Sequence, residues 1–225
     1  MMNALLDLVR VLYEPGVVFT RVKERPAVLV PMVTLIVVSL ILGFLAMPFV
    51  KAGIAGVMAG QAQARGGQMP DVGTAAMIQI IATAIFLPLA ILISGVLLWI
   101  LASVFGLNAS FARLVSVACY STVLYILQVA AGLLVLSMRG VESVTSPMDL
   151  QPAFGLDLLF PNLTGYVGAL VKGVNIFSLW GVFVQGVGIA KTHDTSPKTG
   201  YTIAGVAFVL FLLLFSLFAL FQPQA

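Results

Sequence analysis

Residues suited to chemistry are scarce in this sequence. There is one cysteine and one histidine, and charged side chains make up 8% of 225 residues. A single Cys119 excludes an intrachain disulfide. The single His193 has no cysteine or acidic cluster near it in sequence, so metal-ligand spacing is absent. No HExxH, CxxC or P-loop pattern occurs, and no Ser/His/Asp set falls within the apolar stretches. The carboxylates Asp149 and Asp157 read as solvated loop residues, and His193-Asp194 as a polar turn before Ser196-Pro197. The chain therefore reads as a non-enzyme without catalytic residues, metal or cofactor. Its net charge of +3 comes without a basic stripe, which argues against nucleic acid as a partner.

Charge is scarce because apolar residues fill the chain, at 61% with a mean hydropathy of +1.14. A soluble domain carries roughly 25% charged residues. The apolar residues gather into five runs, at about 27–48, 74–105, 111–138, 174–190 and 201–221. Arg113, two residues into the third run, is the only charge within any of them. About 20 apolar residues are what a helix needs to cross a bilayer. The expected fold class is all-α, a polytopic membrane bundle of five transmembrane helices across residues 27–222. The lipid bilayer is its first partner.

The flanking cations set an expected orientation, since Lys and Arg favour the cytoplasmic side. Arg10, Arg21, Lys23, Arg25, Arg113, Lys191 and Lys198 fall on one side of a five-span arrangement. Lys51, Arg65, Arg139 and Lys172 fall on the other, with Asp71, Glu142, Asp149 and Asp157. Seven against four predicts N-inside and C-outside. No signal peptide pattern precedes the first run, which reads as a retained signal-anchor.

Residues 1–26 form the expected cytoplasmic segment. Leu5, Leu8, Val9 and Leu12 recur at helical spacing with Asp7 and Arg10 opposite, predicting a short amphipathic helix. It would lie on the membrane surface or pack on the protein's own spans. Pro15-Gly16 ends it, and a second short helix should stop before Pro26. Arg21, Lys23 and Arg25 are candidate membrane-surface contacts, attractive to anionic lipids.

Residues 51–70 read as a Gly/Ala/Gln-rich outer connection, flexible or partly helical, with Gly56 and Gly60 in a weak GxxxG pattern. Pro88 predicts a kink in the long second run. The short link Gly106–Ser110 makes the second and third spans a hairpin, with Asn108 or Ser110 as N-cap. Residues 139–173 are the largest extramembrane loop, too rich in Pro and Gly for one long helix. Its Phe154, Leu156, Leu158, Leu159 and Phe160 should meet the membrane interface. Asn162-Leu163-Thr164 fits a glycosylation acceptor.

Polar residues within the runs fall in stripes. In the fourth, Asn175, Ser178, Gly181, Gln185, Gly188 and Thr192 recur every three or four residues. In the third, Ser121, Tyr125, Gln128 and Gly132 share a face that Cys119, Tyr120 and Thr122 widen, and in the second Gln79, Thr83, Ala90 and Ser94 form a sparser one. Such faces turn toward other helices, because small residues allow close approach and polar ones hydrogen-bond. Tyr120, Ser121, Tyr125, Gln128, Asn175, Ser178 and Gln185 are thus a candidate intramembrane polar face, either packing or a pathway. Ion pumping generally needs an intramembrane ionisable residue. A neutral pathway for solutes or lipid headgroups stays open as the alternative function.

Three stretches carry a family resemblance: Pro15-Gly16-Val17-Val18-Phe19 before the basic cluster, Val117-Ala118-Cys119-Tyr120-Ser121, and Asn175-Ile176-Phe177-Ser178-Leu179-Trp180 followed by Gly186-Val187-Gly188. In this order, with a short Lys191–Lys198 loop, the chain resembles the Yip-one family of five-span, Rab-interacting membrane proteins. The resemblance implies a cytoplasmic N-terminus, an extracytoplasmic C-terminus and a non-enzymatic role in membrane organisation or protein and lipid interaction. The chain departs from eukaryotic members in its short N-terminal region. Leu12-Tyr13-Glu14-Pro15 only loosely matches their Asp-Leu-Tyr-Gly-Pro motif, and Tyr120 lacks a preceding Gly. These departures point to a bacterial-type inner-membrane member rather than a Rab binder, with other membrane proteins or anionic lipids as further partners.

Overall fold

The computed structural model describes residues 2–65 and 71–217. Ten α-helices follow in order: α1 (Met2–Arg10), α2 (Pro15–Glu24), α3 (Leu29–Leu45), α4 (Met47–Arg65), α5 (Val72–Val104), α6 (Phe111–Ser121), α7 (Val123–Arg139), α8 (Gly165–Gly173), α9 (Ile176–Thr192) and α10 (Pro197–Leu217). Three short 3-10 turns lie between α7 and α8. Among the described residues the only β pairing is one isolated bridge between Gly155 and Asn175. The protein is all-α, as composition and periodicity predict.

Helix ends follow local chemistry. Pro15 opens α2, where its missing N–H costs nothing, and α2 stops ahead of Pro26. At α10, Pro197 again opens the helix, and the Ser196 hydroxyl accepts the Thr199 N–H at 3.1 Å. Between α3 and α4 the axis bends by 65°. Pro48 sits just past the break and cannot donate to the carbonyl four residues earlier. The stretch after the first run therefore continues as α4 through Arg65, where a partly helical connection was expected. The rest of that connection, residues 66–70, lies outside the described residues, as do residues 218–221 of the last expected span. The third run is divided at Thr122, whose hydroxyl bonds the Ala118 carbonyl at 2.9 Å. Its own N–H is shared between Ala118 and Cys119. Pro88 lies inside α5, which stays one helix of 33 residues.

Three stretches are long and apolar enough to cross a membrane: Val72–Val104, Phe111–Arg139 and Pro197–Leu217. The bent pair of α3 and the first turns of α4 makes a fourth when counted as one span. The remaining expected span, the fourth in chain order, corresponds to α9, a shorter apolar helix of 17 residues. Large apolar side chains such as Ile78, Ile85, Phe86, Leu134 and Leu214 are more than half exposed on these helices. That surface suits lipid rather than water.

The chain divides into two compact units, with boundaries falling inside α3, α5 and α7. The first comprises residues 1–34, 89–125 and 153–225, and the second residues 35–88 and 126–152. In the first, glycines set the closest helix crossings. A Cβ on Gly186 would overlap the Tyr201 ring, and one on Gly200 would overlap the Gly186 carbonyl, so α9 and α10 meet backbone to backbone. Likewise Gly188 admits Val117 of α6 and Phe19 of α2, and Gly95 of α5 admits Val115 of α6. In the second unit Phe49, Leu136 and Val144 form a small buried cluster, flanked by Ala52, Leu133 and Leu150. There Gly56 lies against the Thr145 carbonyl, so the half of the GxxxG pattern that is described packs within the chain. The surroundings of Gly60 lie outside the described residues.

Candidate functional site

In the first unit α2 packs on α6 and the end of α9. Phe19 of α2 is fully buried and meets the Tyr120 ring edge-on at 6.4 Å. Its ring also lies beside Gly188 and Val117. After α2, the Val28 carbonyl stands 3.8 Å from the Cys119 sulfur. Apolar contact with α6 and α9 thus fixes α2, and α2 in turn positions a set of charges.

Arg21 of α2 pairs with Asp7 of α1 at 2.5 Å. Asp7 is 5% exposed, so α1 turns its acidic residue inward together with Leu8 and Val11. Leu5, Leu6, Val9 and Tyr13 face out. At the end of α1, Arg10 pairs with Glu14, the N-cap residue of α2. Lys23 reaches Asp194 at 2.6 Å, 171 positions away in sequence.

Asp194 owes its position to the end of α9. It has φ +49°, the left-handed conformation usually given to glycine. The following Thr195 N–H bonds back to the Ala190 carbonyl at 3.2 Å, closing a Schellman turn. Asp194 takes the glycine place in that turn and presents its carboxylate to Lys23. The Lys23 hydrogen bond and charge hold its pKa below the usual carboxylate range.

His193 joins this turn to the α5–α6 link. Its Nε2 accepts the Ser110 N–H at 3.1 Å, and Nδ1 lies 2.8 Å from the Thr192 hydroxyl. An amide can only donate, so Nε2 must be bare and the ring neutral with its proton on Nδ1. Burial pushes the His193 pKa down, and the nearby Arg113 guanidinium adds to this; the Ile189 backbone and Asp194 oppose both. Arg113 also donates to the Thr192 carbonyl at 3.1 Å. Ser110 holds the N-cap position, but its hydroxyl makes no capping bond.

The residues of the expected polar face take different places. Asn175 is buried and caps α9, its Oδ1 accepting the N–H groups of Phe177 and Ser178. Ser178 answers with its hydroxyl, which accepts the Asn175 N–H at 3.0 Å. Ser121 is buried and donates to the Val117 carbonyl of its own helix. Tyr120 is buried against Phe19, Tyr125 is 47% exposed, and Gln185 is half-buried. Gln128 is also half-buried, and belongs to the second unit. Other hydroxyls within the apolar helices, on Ser116 and Thr192, likewise bond carbonyls of their own helices. Among the described residues no buried side-chain nitrogen or oxygen lacks a partner.

Of the three expected surface cations, Arg21 and Lys23 stand in the ion pairs above. Arg25 is exposed, without an ion pair among the described residues. The roles of Asp7, Arg113 and Asp194 are not visible in the sequence, where His193-Asp194 reads as a plain polar turn. The available signal was Asp7 on an otherwise apolar short helix, and a non-glycine helix stop after Thr192.

No curated protein and no solved structure gave a match. The family model for the Yip1 domain matches residues 9–220. That span runs from the end of α1 to the last apolar run and takes in α2 and all the apolar helices. The chain is a membrane protein of the Yip1 domain family.

Proposed function

We propose that the chain is a non-catalytic, five-span protein of a bacterial inner membrane, and that its braced N-terminal end is a platform for protein or lipid interaction in organising that membrane. The observation that carries this reading is the placement of long-range polar contacts. They gather where α1 and α2 meet the turns after α5 and α9, while polar groups within the apolar helices bond locally. On this reading α9 also crosses and completes the five: 17 residues reach about 26 Å, close to the hydrocarbon thickness. The platform then faces the cytoplasm and residues 139–173 face outward, as the cation distribution predicts.

Two measurements test this. A photo-crosslinker at Arg25 of the full chain in its native membrane should give a discrete adduct, absent when residues 1–14 are deleted. An adduct unchanged by the deletion would contradict the platform. The purified chain in liposomes should pass no solute or reporter lipid above empty liposomes. Flux abolished by Asn175→Leu with Gln185→Leu would establish a transport role instead.

A further inference from the structure

The outward face of α1 is the wrong way round for a helix packed in water. Leu5, Leu6 and Val9 are between 45% and 63% exposed and fall within an arc of about 100° on a helical projection, and Tyr13 in the turn that follows is 68% exposed. The opposite face buries a carboxylate, Asp7, which needs Arg21 to accompany it. A short helix docking from water onto a protein hides its apolar residues and leaves its acid outside. Here the acid goes inside with Leu8 and Val11, while Leu5, Leu6, Val9 and Tyr13 stay outside, so the medium on the outer face must accept apolar side chains.

The depth of α1 identifies that medium. Phe19 of α2 meets Tyr120, about 14 Å along α6 from its first residue, and shares the Gly188 crossing with Val117, about 9 Å along. The Val28 carbonyl meets Cys119, about 12 Å along the same helix. So α2 lies alongside the first turns of a span rather than beyond its end, and α1 is tied to α2 through Asp7. At the same end Trp99 packs edge-on against Phe111 and donates its indole N–H to the Ala109 carbonyl at 3.3 Å. A half-exposed Trp with a satisfied N–H is a marker of the headgroup level. The charges at this end complement an anionic surface: Arg10, Arg21, Lys23, Arg25, Arg113, Lys191 and Lys198 outnumber Asp7, Glu14, Glu24 and Asp194. Apolar outer face, interfacial depth and positive surround are together the properties of a helix lying in the membrane plane.

We propose that α1 lies in the plane of an anionic lipid leaflet, with Leu5, Leu6, Val9 and Tyr13 among the upper acyl chains and the Asp7–Arg21 pair clamping it to α2. This deepens the platform reading, and rests on it, by naming lipid as what covers α1. The platform's open surface for a protein partner is then what remains exposed around Arg25.

The test uses the full chain with Cys119→Ala, reconstituted in phosphatidylcholine vesicles with or without phosphatidylglycerol. An environment-sensitive fluorophore is placed by Leu6→Cys, and in parallel by Val9→Cys in case the first variant does not fold. Glu24→Cys, at an exposed position, is the reference. The α1 labels should be quenched by lipids brominated near the headgroup end of the acyl chain and shielded from aqueous iodide, with the Glu24 label the reverse. Phosphatidylglycerol should raise the lipid quenching about twofold or more. Iodide access at Leu6 and Val9 equal to that at Glu24 overturns the insertion. Shielding from iodide without lipid quenching also overturns it, showing that protein covers the face. Equal lipid quenching with and without phosphatidylglycerol overturns the anionic preference. None of these outcomes alters the adduct at Arg25, so failure here is distinguishable from failure of the platform itself.

Discussion

The two units of this chain are held by different kinds of contact. In the first, among the described residues, three ion pairs, five aromatic pairs and the His193–Ser110 bond join residues up to 171 positions apart. In the second there is no ion pair or aromatic pair among the described residues. A small apolar cluster is accompanied there by a local turn, in which the Asp149 carboxylate accepts from the N–H and hydroxyl groups of Thr145 and Ser146. Burial raises the Asp149 pKa, and these hydrogen bonds outweigh it and hold the group below its usual value. The physical difference is one of entropy. A contact across many residues must offset the cost of closing a large loop, and aromatic and charged groups do so at few positions. The second unit relies on contacts that the local chain already favours.

Substitutions can break that contrast, beginning with the close crossing of α9 and α10. Gly200→Ala places a methyl against the Gly186 carbonyl, which cannot yield as a side chain could. We expect a loss of about 3 kcal/mol, the upper end for overpacking, seen as a lowered thermal unfolding midpoint in detergent. An unchanged midpoint would mean that the two helices separate easily.

Arg21→Ala comes next. It leaves Asp7 inside without its cation, though Arg21 is itself 45% exposed and part of the pair is screened. A loss of about 1–2 kcal/mol is expected, confined to α1. Hydrogen exchange should quicken in residues 4–12 and stay unchanged in α9. Loss of protection throughout the first unit would mean that the pair supports more than α1.

His193→Ala should cost about 1 kcal/mol by leaving the Ser110 N–H without its acceptor. The wild type carries a pH signature that this variant lacks. The His193 pKa is lowered on folding, so the unfolded chain takes up the proton first. The stabilisation is complete above the ordinary value of 6.5 and declines as pH falls from there through the folded pKa. The difference in unfolding midpoint between wild type and His193→Ala should therefore shrink on acidification. A difference independent of pH would place the proton elsewhere.

The smallest effect belongs to Lys23→Ala. Asp194 is 72% exposed in this pair, and the carboxylate gains water when Lys23 is lost. We expect a change visible at low ionic strength and absent at high salt. A salt-independent loss would show that the pair is shielded from solvent in the membrane-bound protein.

Much of the fold was legible in the sequence at the level of elements. The all-α class, the helices flanking Pro15 and Pro26, and the Yip-type order of motifs follow from residue pattern alone, because long apolar runs and prolines act locally. The close crossings were less legible. Gly181, Gly186 and Gly188 look alike in sequence, yet nothing stands near Gly181 while Gly186 touches Tyr201. Which glycine meets a neighbour depends on rotation of the helix, which spacing does not specify. Asp7 and Asp194 were illegible for the same reason. Their partners Arg21 and Lys23 sit two residues apart, and only the docking of α2 by Phe19 sends one to α1 and the other to the turn after α9. The break between α6 and α7 depends on a bifurcated bond at Thr122, which hydropathy does not register.

The central claim is that α9 crosses the membrane and that the α1–α2 brace shares a side with the turn after it. Single cysteines introduced by Glu24→Cys, Ser196→Cys and Asn162→Cys, with Cys119→Ala, can be probed with a membrane-impermeant maleimide in right-side-out and inverted vesicles. The account predicts that Glu24 and Ser196 positions react only in inverted vesicles and the Asn162 position only in right-side-out ones. Reaction of the Asn162 and Ser196 positions from the same side would contradict it.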